Sequence, residues 1–346
     1  MFQTGVAWRS PGFEINDLGF MRNADQINQF TSVGYTKRNP FSIFDRWQLN
    51  GNQWLDWDYA GNFLGARYNV NTNARFKNKY SAGGSISRRG ESTSNTRLRS
   101  GPASRWPGSW SYNLWANSDH RRDLTVSLGG HLSREDDGAG DYREVWGTVS
   151  YRPSNAIRLS LSPEYSRNRP EMQYIDTAAF ADEDRYIFGR LEQETFVLTT
   201  RLDYTITPNL TVQLYAAPFV SHGRYDEFKR ITDPIAARYP DRFALYGAEQ
   251  IAFDAANDAF EVDEDQDGTV DYSFGGPDFD ARFLNANLVV RWEFTPGSSV
   301  FFVWSQSREN TDLLAGDENF RQGLDNLFWV HPEDVFLIKF SKWFSL

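Results

Sequence analysis

Apolar and polar residues alternate with a period of two through most of the chain, and the alternation restarts repeatedly between clusters of turn residues. Over 124–132, Leu124, Val126, Leu128, Gly130 and Leu132 share one parity, while Thr125, Ser127, Gly129 and His131 share the other. Ile157, Leu159, Leu161, Pro163 and Tyr165 oppose Arg158, Ser160, Ser162 and Glu164 in the same way. Residues 196–206 and 284–294 repeat the pattern, with Phe196, Leu198, Leu202 and Tyr204, then Leu284, Leu288, Val290 and Trp292, on the apolar side. Each segment predicts a strand with one apolar and one polar face.

Turn chemistry divides these segments at Arg38-Asn39-Pro40, Asn71-Thr72-Asn73, Ser118 to Arg121, Pro153-Ser154-Asn155, Thr207-Pro208-Asn209 and Pro296-Gly297-Ser298. Longer polar connections lie near 10–25, 89–108, 134–141, 225–281 and 309–333. The resulting strands are about sixteen, at 1–9, 26–38, 42–56, 60–71, 75–88, 109–117, 122–133, 142–152, 156–166, 171–180, 185–192, 195–206, 209–224, 282–295, 299–308 and 334–346. Between 171 and 195 the parity is poor, so counts from fourteen to eighteen fit. An even count returns both termini to one side, with short turns at one end of the sheet and long loops at the other.

Alternation alone also suits a soluble sandwich, and the strand number decides between the two. About eight strands close into a cylinder that side chains can fill, whereas about sixteen leave a wide interior that must hold water. The apolar parity then faces lipid, and closure satisfies every backbone amide between strands. Spanning takes about 9 to 11 tilted residues per strand, on the order of 160 in all, which a chain of 346 residues supplies with loops to spare. The expected fold is therefore all-β: a transmembrane up-and-down antiparallel β-barrel over 1–346, with short periplasmic turns and long extracellular loops. Trp110, Tyr151, Tyr165, Tyr204 and Trp292, near strand ends on the apolar parity, resemble interfacial girdles.

Composition sharpens this. The 27 Phe, 16 Tyr and 12 Trp exclude disorder, and no apolar run is long enough for a transmembrane helix. The absence of Cys removes thiolate chemistry, and a net charge of -10 argues against nucleic acid as a partner. Met1 runs directly into the alternating stretch from Phe2 to Arg9 without a secretory leader, so the chain reads as mature, trimmed or engineered.

In the last segment, Phe336, Ile338, Phe340, Phe344 and Leu346 share a parity that Lys342 interrupts. This is similar to the terminal strand read by the outer-membrane assembly machinery. Together with 10–20 (Ser10-Pro11-Gly12-Phe13-Glu14 through Phe20) and 209–219 (Asn209-Leu210-Thr211-Val212 through Phe219), it resembles the C-terminal part of an uncharacterised envelope protein family. In that family a carbohydrate-binding-module-9-like sandwich precedes an outer-membrane barrel. The resemblance covers the barrel half alone, and it implies a bacterial outer-membrane location and no settled activity.

Candidate sites follow from the polar parity. Arg46, Arg67, Arg158, Glu164, Arg201, Asp203, Arg291 and Glu293, with Lys77, Lys79 and Lys339, are expected to line a lumen. There they either set ion preference by their local field or pair across strands and stiffen the wall. The acidic stretch 254–280 carries ten carboxylates and no Lys or Arg, equal to the whole net charge. Within it Asp263, Asp265, Asp267, Gly268 and Asp271 match positions 1, 3, 5, 6 and 9 of a calcium loop, but Phe274 replaces the bidentate Glu of position 12. The alternatives are a reduced calcium site and a solvated acidic flap. His131 shares its face with Ser127 and Ser133, a weak pointer to a hydrolase. The expected function is a water-filled pore for small solutes or ions, with outer-membrane lipid and the barrel assembly machinery as partners. The rival is a membrane anchor or loop-plugged conduit for an appended binding domain, and an outer-membrane hydrolase comes third.

Overall fold

A computed structural model describes the chain except for residues 18, 20, 22, 100, 313–319, 345 and 346. The strands are β1 (Phe2–Arg9), β2 (Gln26–Lys37), β3 (Phe44–Trp57), β4 (Phe63–Phe76), β5 (Ser81–Arg89), β6 (Ser92–Ser94) and β7 (Ser104–Trp106). Next come β8 (Ser109–Asn117), β9 (Leu124–Glu135), β10 (Gly140–Ser154), β11 (Ile157–Pro170), β12 (Gln173–Phe180), β13 (Glu183–Thr207) and β14 (Leu210–Ile231). The last are β15 (Phe243–Leu245), β16 (Ile251–Asp254), β17 (Ala259–Val262), β18 (Tyr272–Gly275), β19 (Phe279–Thr295), β20 (Ser298–Asp312) and β21 (Glu333–Ser341), with one short helix, α1 (Phe320–Asn326), before β21.

One antiparallel sheet of sixteen strands dominates, and fourteen of them follow one another in chain order from β1 to β21. The other two, β12 and β15, pair only with the far ends of β13 and β14. Two small sheets, β6-β7 and β16-β17-β18, belong to the long connections.

Three sequence expectations are corrected. The segments 185–192 and 195–206 form one strand of 25 residues, β13, because Gln193 and Glu194, of which Glu194 breaks the apolar parity, sit in register opposite Asn168 and Arg167 of β11. Asn71-Thr72-Asn73 is not a turn but the middle of β4, where Asn71 bonds across to Asn50. Lys77 and Lys79 accordingly fall in the turn after β4, and Lys79 has φ 71°. The terminal strand expected over 334–346 ends at Ser341, short of Lys342 to Phe344; Leu346 lies outside the described residues.

Directly opposed residues of an antiparallel pair share a face, so the register traces each face through the sheet. Phe2, Val33, Gly51, Val70, Ile86, Tyr112 and Leu132 lie opposite one another in turn from β1 to β9. Tyr151, Leu159, Leu202, Leu214, Leu288, Trp304 and Phe336 do so from β10 to β21. Leu124, on the same parity as Leu132, opposes Tyr151 and joins the two rows, so one apolar face extends across all fourteen strands. It is largely uncovered, with Leu114 71 % and Ile338 73 % exposed.

The chain has 20994 Å² of accessible surface, where a compact soluble chain of 39.9 kDa has about 14,400 Å². The surplus fits a single-layered wall exposed on both faces. The buried clusters lie mainly at its long-connection end. Ile187 and Phe188 of β13 point to opposite sides there, Phe188 joining Leu98, Trp106, Met172 and Tyr239, and Ile187 joining Val262, Tyr272 and Phe274. On the apolar face, Leu327 after α1 covers Val220 and Leu284.

Candidate functional site

The opposite face of the wall is polar and internally bonded. Gln3, Ser32, Asn52, Asn69, Ser87, Ser111 and Ser133 oppose one another in register from β1 to β9, one residue along from the apolar row. Ser32 Oγ donates to Asn52 at 2.7 Å, Asn52 Nδ2 to Asn69 at 3.1 Å and Asn69 Nδ2 to Ser87 at 2.8 Å, and Ser111 meets Ser133 at 2.9 Å. Small amides and hydroxyls are spaced to bond across one interstrand gap of about 4.8 Å, which orients them without closing the space in front. The asparagines at 50, 52, 69, 71 and 73 carried this signal in the sequence, where Asn is read first as a turn former.

Nine of the eleven predicted wall residues lie on this face, Lys339 among them opposite Phe301, and the other two, Lys77 and Lys79, are in the turn after β4. Toward the long connections, Arg67 pairs with Asp56 at 3.3 Å, and Asp56 also accepts from Gln26 and Asn28. Toward the short turns, Arg291 pairs with Glu293 at 2.7 Å and Asp203 accepts from Gln213 at 3.1 Å. Arg201 lies over the Tyr215 ring, its cross-strand partner, at 5.3 Å. Arg158 and Asp203 are opposed in register, and Arg46 opposes Arg75. Glu164 sits opposite Trp146 and Val197. The set is therefore a wall of mixed charge, partly paired, and does not converge on one point.

The residues that gave a weak pointer to a hydrolase are each engaged elsewhere. The Ser133 hydroxyl is engaged with Ser111, and the His131 ring lies against Tyr142 at 5.7 Å. Another histidine, His222, bonds through Nδ1 to Asp280, whose second oxygen is 3.4 Å from Arg224. Burial pushes the neighbouring Asp278 carboxyl up, although it accepts from the Tyr225 amide at 2.7 Å.

The long connections form a folded cap. The acidic loop expected at 225–281 runs from 232 to 278, because β14 and β19 are longer than the alternation suggests, and it contains four short strands. Arg242, 3 % exposed, donates to the Arg105 carbonyl at 3.1 Å and to Glu91 at 2.7 Å, and the Arg105 amide donates to Pro234 at 2.7 Å. These contacts join the β5–β8 connection to the β14–β19 connection although β8 to β11 and β13 intervene in the sheet. The cap therefore reaches over the long-connection end.

On the cap, oxygens of Asp263, Asp265 and Asp267 come within 4.8 Å of one another in a turn with Gln266 at φ 62° and Gly268 at φ 93°. Asp271 is not among them; its carboxylate accepts from the amides of Glu264 and Asp265 on the other side of the turn's base. The Thr269 hydroxyl holds the Asp267 carboxyl below the usual range. Glu264 anchors the turn, paired with Arg185 at 3.0 Å and Arg230 at 3.3 Å and accepting from Tyr272 at 2.6 Å. Three carboxylates and a tight turn suit a hard cation, and Phe274 at the twelfth position is core, 2 % exposed.

No curated protein and no solved structure matches the chain. The family described as Domain of unknown function (DUF5916) matches it over residues 1–344, and the chain belongs to that family.

Proposed function

We propose that the wall closes through β1 and β21 into a barrel in the bacterial outer membrane, with its polar face around a water-filled passage for small solutes or ions. The observation that carries this reading is the apolar face continuous through fourteen strands, since only lipid covers so large an area without a second protein layer. Ten steps from Phe196 to Ile206 on β13 span roughly 33 Å of strand, or about 25 Å along the normal at a barrel tilt of about 40°, the height of an outer-membrane apolar band. Both ends of the wall are strands with one free edge, which closure removes. The chain has no Cys, so cysteine pairs placed along β1 and β21 report only the intended bond. A cross-linked monomer embedded in vesicles and ion-conducting in planar bilayers is expected; a protein that stays folded in buffer without detergent sinks the reading.

The cap favours a second reading, a plugged conduit or anchor for an appended binding domain, because its contacts cross the long-connection end. In either case Asp263, Asp265 and Asp267 are assigned to a calcium ion on the cap.

A further inference from the structure

On the apolar face the side chains change type within one pleat at the long-connection end of β9, β10 and β11. Leu132, Val145 and Tyr165 give way to Arg134, Arg143 and Arg167, all on the same parity. Trp110 is the direct partner of Arg134, and Arg143 is the direct partner of Arg167. Like charges opposed across a strand pair stand about 5 Å apart at Cβ and destabilise the pair unless something neutral or negative separates them.

The protein's own carboxylates do this incompletely. Asp141 is 3.3 Å from Arg143, and Glu192 is 2.5 Å from Arg169 and 3.5 Å from Arg167. Glu194 faces Arg167 in register and accepts from the Tyr165 hydroxyl. Four guanidiniums thus meet three carboxylates. Arg134 is exposed; it opposes Asp141 in register on β10, but that carboxylate turns to Arg143, and none lies within ion-pair distance of Arg134 among the described residues. The Nε groups of Arg167 and Arg169 are buried without a hydrogen-bond partner among the described residues. The Arg143 side chain is 59 % exposed and its Asp141 partner only 19 %, so the surface presents the cation and tucks away the anion.

We infer that Arg134, Arg143 and Arg167 bind the phosphate of an anionic lipid in the leaflet at the long-connection end. The assignment rests on the membrane reading above, because only then does this row stand level with head groups, beside the Trp110 side chain and just beyond that of Tyr165. Guanidinium forks suit a phosphomonoester, which offers enough oxygens to bridge two arginines.

For the test, full-length protein is reconstituted with equal parts of dimyristoylphosphatidic acid and dimyristoylphosphatidylcholine, re-extracted in non-ionic detergent, and its retained lipid is counted by mass spectrometry. The native chain should keep phosphatidic acid over phosphatidylcholine by about tenfold. The triple variant Arg134→Gln, Arg143→Gln, Arg167→Gln should lose that preference, and the three Arg→Lys changes should keep part of it. Equal retention of the two lipids by the native chain, or an unchanged preference in the Gln variant, overturns the assignment. Displacement of the lipid by excess inorganic phosphate overturns it as well, by making free phosphate the ligand. Flotation of both proteins with pure phosphatidylcholine vesicles tests the membrane reading separately; failure to float breaks that reading, whereas flotation without lipid preference breaks only the arginine site.

Discussion

The indole of Trp146 lies directly on the backbone of Gly129, its cross-strand partner, so that a methyl group built on Gly129 would stand 2.1 Å from Trp146 Cζ2. Gly83 and Trp115 repeat the arrangement on the same polar face, at 2.6 Å. A missing side chain on one strand lets a large ring lie flat against the wall, where it shields backbone hydrogen bonds and leaves the space in front open.

Gly129→Ala should therefore destabilise the folded protein by about 1 to 3 kcal/mol, the usual result of overpacking a filled site. A methyl group added at Gly51 would meet nothing within 4 Å, so Gly51→Ala should be neutral or slightly stabilising. Unfolding by urea in detergent compares the two. Equal stability would mean that Trp146 swings away freely.

The polar face also makes an electrical prediction. Arg158 and Arg201 lie on adjacent strands at the short-turn half of the wall, and neither is in an ion pair among the described residues. Replacing both with Glu should move the reversal potential toward cation preference in planar bilayers under a salt gradient. An unchanged reversal potential would leave these residues a purely structural role.

How far these features were legible differs along the chain for physical reasons. The faces of β9, β11 and β19 follow directly from the parity of Leu124 to Leu132, Ile157 to Tyr165 and Leu284 to Phe294, because each of those strands keeps one apolar and one polar face in register with its neighbours. Parity fails at Ile187 and Phe188, which are buried on both sides of β13 by the cap, so no alternation exists to be read. The Arg242 to Glu91 contact joins residues 151 apart, and no local pattern encodes it. In the acidic turn, spacing aligned Asp271 with the other three carboxylates, but the nearby amides of Glu264 and Asp265 compete for it.

The short turn between β8 and β9 supplies a pH test. Arg121 donates from Nη2 at 2.7 Å and Nε at 2.9 Å to Asp119, and holds its carboxyl well below the ordinary range. A carboxyl whose folded pKa is lowered stabilises the turn fully above its unfolded value near 3.9 and loses that contribution as pH falls through the folded value. Protection of the Arg121 amide from hydrogen exchange, bonded to Asp119 at 3.0 Å, should hold down to the ordinary carboxylate range and decline below it. Asp119→Asn should abolish the pH dependence; a decline centred above pH 4 would refute the assignment.

Crowding three carboxylates within 4.8 Å is unfavourable without a cation. In chelator, Asp265→Asn should leave the cap as stable as the native one or more so, whereas added calcium should stabilise only the native protein. Calorimetry reads both effects, and the absence of saturable heat with the native chain would remove the ion site.

The cap gives the most direct functional test, through Arg242. Its guanidinium donates to carbonyls of Ala236 and Arg105 and pairs with Glu91, and its carbon lies 5.8 Å from the Tyr239 ring, so one buried side chain fastens two connections that start on distant strands. Arg242→Ala leaves those carbonyls without their donor, while Glu91, 45 % exposed, turns to water, and the crossing should loosen by about 1 to 3 kcal/mol, the cost of buried acceptors left unbonded. The fourteen-strand wall does not depend on this contact, so its melting in detergent should stay close to native while protease reaches the cap sooner. If the cap restricts the passage, single-channel conductance or open time rises in the variant and rises further when 232–278 is replaced by a tight turn from Ile231 to Phe279. A loosened cap with unaltered conductance would show that the passage runs beside it, and that these contacts serve the anchor of a binding domain instead.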